Sequence, residues 1–264
     1  MSAADIWPAE SIWEQVSPLL PGFTVEILPE IDSTSSELMR RARAGHAEPT
    51  LLVAERQLAG RGRMGRPWLS QPGDSLTFSL SLPLKPQNWS GLSLAVGLTL
   101  AETLHPQIGL KWPNDLWWDQ RKLGGILIEA ASSSGPSQVV VGVGLNIRPR
   151  TGEGLSTAPA ALTELLPAAS AAACLAQVTP ALVRALLDFE TAGFAPLMAR
   201  YATRDVLQGR TVLTSEGLTG LALGVGPDGA LRVAQPQGEV QVRSAEVSVR
   251  PASAATPTAS KPND

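Results

Sequence analysis

A single cysteine, Cys174, serves the whole 264-residue chain, so no internal disulfide can form. That suits a reducing compartment. The only two histidines, His46 and His105, lie outside every motif, and with one cysteine they leave no His/Cys set for a structural metal. Long apolar runs are also missing. The greasiest segment, Leu92 to Leu104, falls short of the roughly 20 apolar residues that a bilayer span requires, and it carries Glu102. We read it as a buried helix. The first residues, MSAADIWPAESIWEQ, are acidic and lack a continuous apolar core, so no secretory leader is expected and the default location is the cytoplasm. Excess positive charge is absent as well. A net charge of -3 argues against a protein that coats nucleic acid, and any basic site must be local. With 44% hydrophobic residues the chain can build a sizeable core.

Along the chain, residues 22–30 read as a first strand. Thr34 followed by Glu37 reads as a capping box opening a helix from about Ser35 to Ala44, stopped by Gly45. LLVAE (51–55) and LTFSLSLPL (76–84) read as strands. Three short strand-like pieces follow, at 110–112, 123–130 and 139–147, with Asp119-Gln120 as a turn. Their short connections favour antiparallel hairpins. Residues 148–178, rich in Ala, Pro, Ser and Thr, suggest a long surface excursion. Thr179-Pro180 reads as the N-cap and first residue of a helix, and a second helical piece lies near 194–202. After Asp205 the pattern becomes short strands and turns, with Asp228-Gly229 as a hairpin signal, and predicts a compact β-barrel. We divide the chain into a unit at 1–205, a barrel at 206–250 and a disordered tail at 251–264.

GRGRMGRPW, residues 60–68, fits the dinucleotide fingerprint G-x-G-x-x-G. That fingerprint must open a helix, whose N-terminus holds the pyrophosphate. Here Pro67, Pro72 and Gly73 leave no room for one. No Walker sequence occurs either. Glycines permit close approach of backbone to ligand, and Arg61, Arg63 and Arg66 repel one another unless an anion or carboxylates share them. The arginines have no evident internal partner in the sequence. The loop therefore reads as a clamp for a polyanionic small molecule, with a solvated basic turn as the bland alternative.

Three further stretches add to it. KWPNDL (111–116) sets a cation, an amide and a carboxylate at a strand end. KLGGILIE (122–129) puts a lysine before two glycines and an apolar strand. VVVGVGLNI (139–147) ends a buried strand with glycines and an asparagine. Each alone is weak, since Pro-Asn-Asp is a common turn and glycine in a strand often marks a bulge. In this order, with DSTSSEL (32–38), they resemble the biotin protein ligases, the biotin–[acetyl-CoA-carboxylase] ligases, over about residues 24–250. Ser35 stands where that family's pattern has Asn, and Leu58 where a polar or small residue is usual.

The resemblance implies an α+β fold: a mixed, largely antiparallel sheet with helices packed on one side, plus a small C-terminal SH3-like β-barrel. It implies two reactions in one site. Biotin and ATP, the latter arriving with Mg²⁺, give biotinyl-5′-AMP and pyrophosphate; a lysine of a biotin carboxyl carrier protein then takes the biotinyl group. Because a carboxylate must meet a phosphate, cations must offset the repulsion. Lys122, Arg61, Arg63 and Lys111 are the candidates, with Lys122 and Arg61 also touching biotin. Ser33, Thr34, Gln57, Gly60, Gly125 and Gly144 complete the biotin set, although Thr34 has helix capping as its bland role. Trp68 would pack on adenine, and Asn114 and Asn146 join Arg61, Arg63, Lys111 and Lys122 around the nucleotide. Asp115 would accept a proton from, or orient, the incoming lysine, or else serve only as a turn residue. No carboxylate cluster suggests a permanent metal cage.

Two other functions compete: a lipoate- or octanoate-protein ligase of related fold, and a non-catalytic nucleotide-binding module. Only about 30 residues precede DSTSS, so no N-terminal helix-turn-helix and no specific DNA partner are expected. Pairing of two copies into a homodimer at an exposed sheet edge is left open.

Overall fold

The computed structural model describes residues 7–131, 138–150, 158–243 and 249–251. The first helix, α1 (Ala9–Val16), was not foreseen; Ile12 and Val16, one turn apart, bury its apolar side. Seven strands form the main sheet: β1 (Thr24–Ile31), β2 (Thr50–Gln57), β3 (Ser75–Pro83), β4 (Gly109–Lys111), β5 (Asp115–Trp118), β6 (Arg121–Ala131) and β7 (Gln138–Asn146). Their order is β1-β2-β3-β7-β6-β5-β4. Only β1 and β2 are parallel, and the helix α2 (Thr34–Arg43) crosses between them. The central strands β3 and β7 are buried on both faces; β7 is accordingly almost continuously apolar, whereas β3 alternates Leu and Phe with small hydroxyl residues that are buried too.

The strand period of two divides the core. Leu51 and Val53 of β2 and Val139 and Val141 of β7 face a layer made by α1, α3 (Leu92–Leu104) and α4 (Ala171–Ala192). Leu52 and Val140 point the other way and meet Leu38, Met39 and Ala42 of α2. The expected mixed sheet with a helical layer is present, and α2 covers part of the opposite face, where the cleft described below opens. Asp119 and Gln120 turn β5 into β6 with φ of 48° and 57°, as the sequence suggested.

Two helix starts differ from expectation. The cap of α2 is Ser33, whose side chain accepts from the Ser36 N–H; Glu37 instead pairs with Arg40 and Arg41. Both Ser and Thr can cap, with Ser the better of the two, and Ser33 is the one with extended backbone. In α4, Thr179-Pro180 is not a start. The helix begins at Ala171 under a Ser170 cap and runs through Pro180, and the Thr179 hydroxyl donates to the Leu175 carbonyl. Although α4 is long and apolar enough to cross a membrane, it packs on α1, α3 and β3 as a core helix. Burial there pushes the Cys174 thiol up to about 11, so it acts as a packing residue.

After α5 (Met198–Ala202), a second sheet contains β8 (Thr211–Thr214), β9 (Thr219–Val225), β10 (Leu231–Gln235), β11 (Gly238–Val242) and β12 (Val249–Pro251), in the order β11-β10-β9-β8-β12. Asp228-Gly229 does form the β9–β10 turn, with Gly229 at φ 74°. Among the described residues no ladder joins β11 to β12, so barrel closure is not seen. The expected disordered tail lies outside the described residues, apart from Pro251.

At the junction of the two sheets, Asp205 Oδ2 and the Tyr201 hydroxyl are both buried without partners. Burial raises the Asp205 carboxyl above its ordinary 3.8, opposed by backbone hydrogen bonds from Leu207 and Gln208. Below the ordinary value, folded and unfolded chains both carry the proton and nothing is lost. As pH rises through the raised value, the folded chain must ionise a buried group and loses stability. Asp205→Asn should therefore raise the melting temperature at pH 7, by the equivalent of about 1 kcal/mol. Thermal scans against pH should show the gain fading as pH falls through 3.8; a gain that grew on acidification would refute this account.

Candidate functional site

A cleft of about 640 Å³ opens on the α2 side of the main sheet. Its floor is the stretch where β6 and β7 carry glycines. Gly144 shows why they are there. A Cβ at this position would lie 2.4 Å from the Trp68 indole, so the ring packs directly against bare backbone. At Gly125 a Cβ would crowd Lys122 Nζ, 3.2 Å away.

The β2–β3 connection forms one wall. Trp68 N–H donates to the Gly60 carbonyl at 2.8 Å, Gly62 N–H to Arg66 at 2.7 Å, and Arg66 N–H to Arg63 at 3.2 Å. Met64 and Gly65, at φ 56° and 71°, make the tip. The loop expected to act as a clamp is a hydrogen-bonded hairpin. Its arginines have partners, contrary to expectation. Arg61 donates to the Ser36 hydroxyl at 3.0 Å and pairs with Glu129 at 3.3 Å. Arg63 reaches the Asn114 side-chain oxygen at 3.4 Å. Burial lowers the Arg63 pKa, with Asp115 opposing and Arg66 adding to the fall.

Facing the hairpin, Lys122 and Asp115 form an ion pair at 2.7 Å. Asp115 is thus more than a turn residue: it begins β5, opposite Lys111 on one side and Gly125 on the other. Asn114 is held by its amide, which donates to the Ile126 carbonyl at 2.8 Å. Lys111 sits over the Trp117 ring at 4.2 Å.

The α2 end supplies hydroxyls. Thr34 Oγ1 and its backbone N–H both contact Gln57 Oε1, at 3.1 and 2.7 Å, so Thr34 does not cap the helix. Thr34 and Ser35 each share a hydrogen bond with Ser79, at 2.8 and 2.9 Å. Asn146 donates to the Lys122 carbonyl at 3.3 Å, and its Oδ1 is buried with no partner, as is Trp68 Nε1.

Of the residues expected from the sequence, Ser33, Thr34, Gln57, Arg61, Arg63, Trp68, Lys111, Asn114, Asp115, Lys122, Gly125, Gly144 and Asn146 all line this cleft. Gly60 does not. It lies behind the wall, where the absence of a side chain makes room for the Trp68 carbonyl, 2.5 Å from the Cβ position. The sequence reading missed Arg121, Arg150, Trp112 and Trp117, which also line the cleft. Arg150 lies 5.6 Å from the Trp68 ring centre, and it falls in the Ala/Pro-rich stretch where no pattern singled it out. Among the described residues no group of three or more His, Cys, Asp or Glu could hold a metal ion. The cleft can therefore take a polyanion beside a lysine–carboxylate pair, with apolar floor and hydroxyls at one end.

Residues 28–146 match the model of the biotin/lipoate A/B protein ligase family. The bifunctional ligase/repressor BirA of Escherichia coli (strain K12) is 34% identical over 88% of this chain and 78% of that protein. The biotin–[acetyl-CoA-carboxylase] ligase of Paracoccus denitrificans is 30% identical, over 84% of this chain and 98% of its own length. The structure resembles the biotin protein ligase from Aquifex aeolicus in complex with biotin and ATP, with a TM-score of 0.76 and 29% identity over 86% of this chain and 99% of that one.

Gly144→Ala should displace the Trp68 indole without unfolding the sheet. We expect tryptophan emission to shift and ligand affinity to fall about tenfold or more, as overpacking of a close contact costs ~1–3 kcal/mol. Unchanged emission together with unchanged affinity would show that the indole does not need the bare backbone.

Proposed function

The chain belongs to the biotin protein ligases, and we propose that its cleft performs both halves of their chemistry, joining biotin to ATP and passing the biotinyl group to a lysine of a carboxyl carrier protein. The observation that carries this is the Lys122–Asp115 pair set between the arginine hairpin and the glycine-bared floor. In the first half a biotin carboxylate oxygen attacks the α-phosphorus, the bond to the β-phosphate bridge breaks, and pyrophosphate leaves. Lys122, with Arg61 and Arg63, offsets the meeting of two anions. In the second half the acceptor amine attacks the acyl carbon, the acyl–oxygen bond breaks, AMP leaves, and one proton must be removed. Asp115 is placed to take that proton or to orient the amine.

The nucleotide half of the cleft is assigned by its unused atoms. The free atom of Asn146 is an acceptor, so it cannot bond a phosphate oxygen directly; an adenine amino group or a cation suits it. Mg²⁺ entering with ATP would find that oxygen beside its phosphates, and among the described residues no set of three carboxylate, His or Cys groups to hold it apart from the nucleotide. Trp68 offers a ring face for the base. A lipoate- or octanoate-protein ligase would also have to bring a carboxylate to a phosphate; GRGRMGRPW, and KWPNDL followed by KLGG, favour biotin, and the hydroxyl end of the cleft is where the acids would be told apart. The acidic balance supports the absence of a specific DNA partner.

The test uses the two half-reactions. Lys122→Ala should slow ATP- and biotin-dependent pyrophosphate release on the order of 10²–10³-fold, and slow transfer from supplied biotinyl-5′-AMP much less. It also strands Asp115 as a bare negative charge beside the phosphates. Adding Asp115→Asn should hence recover part of the first step while impairing transfer. Equal damage to both steps in the single variant, or no recovery in the double, would remove the roles assigned here. Pyrophosphate release with lipoate or octanoate but not biotin would favour the rival ligase.

A further inference from the structure

We propose that the second sheet helps to build the nucleotide half of the cleft, with the Gly229 carbonyl at the β9–β10 turn fixing Trp112 and so the segment that carries Lys111, Asn114 and Asp115. This rests on the function proposed above and adds a positioning device to it. Trp112 is 1% exposed, yet it lines the cleft. Its indole Nε1–H donates to the Gly229 carbonyl at 3.0 Å, across 117 residues of sequence. One side chain therefore touches both the site and the far sheet.

The turn that offers the carbonyl is itself fixed. Gly226 N–H donates to Ala230 at 2.8 Å, and Asp228 accepts from the Ala230 N–H at 3.2 Å. Gly229 must be glycine twice over: its φ is 74°, and a Cβ would come within 2.7 Å of the Gly91 Cα at the start of α3. From the same helix end, the Ser93 hydroxyl donates to the Pro113 carbonyl at 3.1 Å. The Trp112-Pro113 step is thus bonded by its side chain to the β9–β10 turn and by its backbone to α3.

A second tie reinforces it. Leu110 donates to the Arg204 carbonyl at 2.8 Å and accepts from Val206 N–H at 3.0 Å, so the segment leading into the second sheet extends the edge beyond β4. Arg204 in turn donates to the carbonyls of His105, Pro106 and Ile108. Residues 110–113 are therefore held by β5 on one side and by the second sheet and its lead-in on the other. Trp112 is joined to the β9–β10 turn by its side chain, and its neighbours are the cation and amide assigned to the nucleotide. At the biotin end, built on α2 and the β2 terminus, the Thr34, Ser35 and Gln57 side chains bond one another and Ser79 of the main sheet instead.

Gly229→Ala tests this from outside the cleft, because its Cβ pushes the turn off Gly91 and withdraws the carbonyl. The expected result is a KM for ATP raised about tenfold, the worth of leaving one buried partner unpaired, with the KM for biotin within about twofold of the parent. The Trp112 indole proton, slow to exchange in the parent, should exchange faster in the variant. A merely structural defect would lower kcat through loss of active protein and leave both KM values alone. Trp112→Phe, which keeps an aromatic ring but removes the donor, gives the same split of the two KM values should Gly229→Ala fail to fold. An unchanged KM for ATP in the folded variant, equal rises in both KM values, or a parent indole proton that exchanges freely would overturn the proposal. If the parent released no pyrophosphate with biotin and ATP, the function itself would fall. Indole exchange in the parent and variant would still decide whether the turn holds Trp112.

Discussion

Lys122 and Asp115 stand 2.7 Å apart on neighbouring strands, and much of the cleft is arranged to keep them so. A shift of register between Leu116 and Trp117 sets Asp115 opposite Gly125 and Trp117 opposite Lys122. The ion pair is therefore diagonal, and it needs the empty space over Gly125. The same logic governs the other cations. Six of them, from Arg61 to Arg150, line one cavity, and unshared they would drive it open. Arg61 is given Glu129, Arg63 is given Asn114, and Arg121 is given Glu164. Carboxylates share Lys122, Arg61 and Arg121, so positive charge still dominates the cleft, and an incoming anion competes with these partners at part of it.

That sharing of charge bears on how the hairpin is built. Backbone hydrogen bonds close it, from Gly62 to Arg66 and from Trp68 to Gly60. The arginines are then free to exchange partners while the chain that bears them stays put. Desolvation lowers the pKa of Arg63 and Arg150, but a guanidinium remains charged through any ordinary pH. Arginine rather than lysine at these half-buried points keeps the charge from being lost on burial.

Local pattern made a good deal of this legible. Prolines after Gly65 ruled out a dinucleotide helix, and the structure has a hairpin there. The glycines flanking Lys122 and Asn146 marked the floor, because a backbone needed bare is a requirement written at single positions. What stayed hidden depends on distant residues. Arg61 and Glu129 are 68 apart in sequence, so the pairing has no local signature. Strand β5 is too short for its alternation to register. The Thr179-Pro180 pair misled because a proline that normally opens a helix here sits inside one, sustained by packing on its buried side.

The hydroxyls beside α2 carry one more implication, visible when their protons are followed. Gln57 Oε1 is pinned as an acceptor by the Thr34 N–H, so the Thr34 hydroxyl must spend its proton on it. Ser79, bonded to Thr34, must then donate towards it, and Ser35 must donate towards Ser79. The chain of protons runs one way, from Ser35 to Gln57, and leaves lone pairs as what these three hydroxyls can still offer. A head group settling there has to bring hydrogen of its own. The ureido ring of biotin has two N–H groups to give; the dithiolane of lipoate has none, and neither has an octanoyl tail. Selectivity between these acids would then lie in the direction of three protons that no side-chain identity alone reveals.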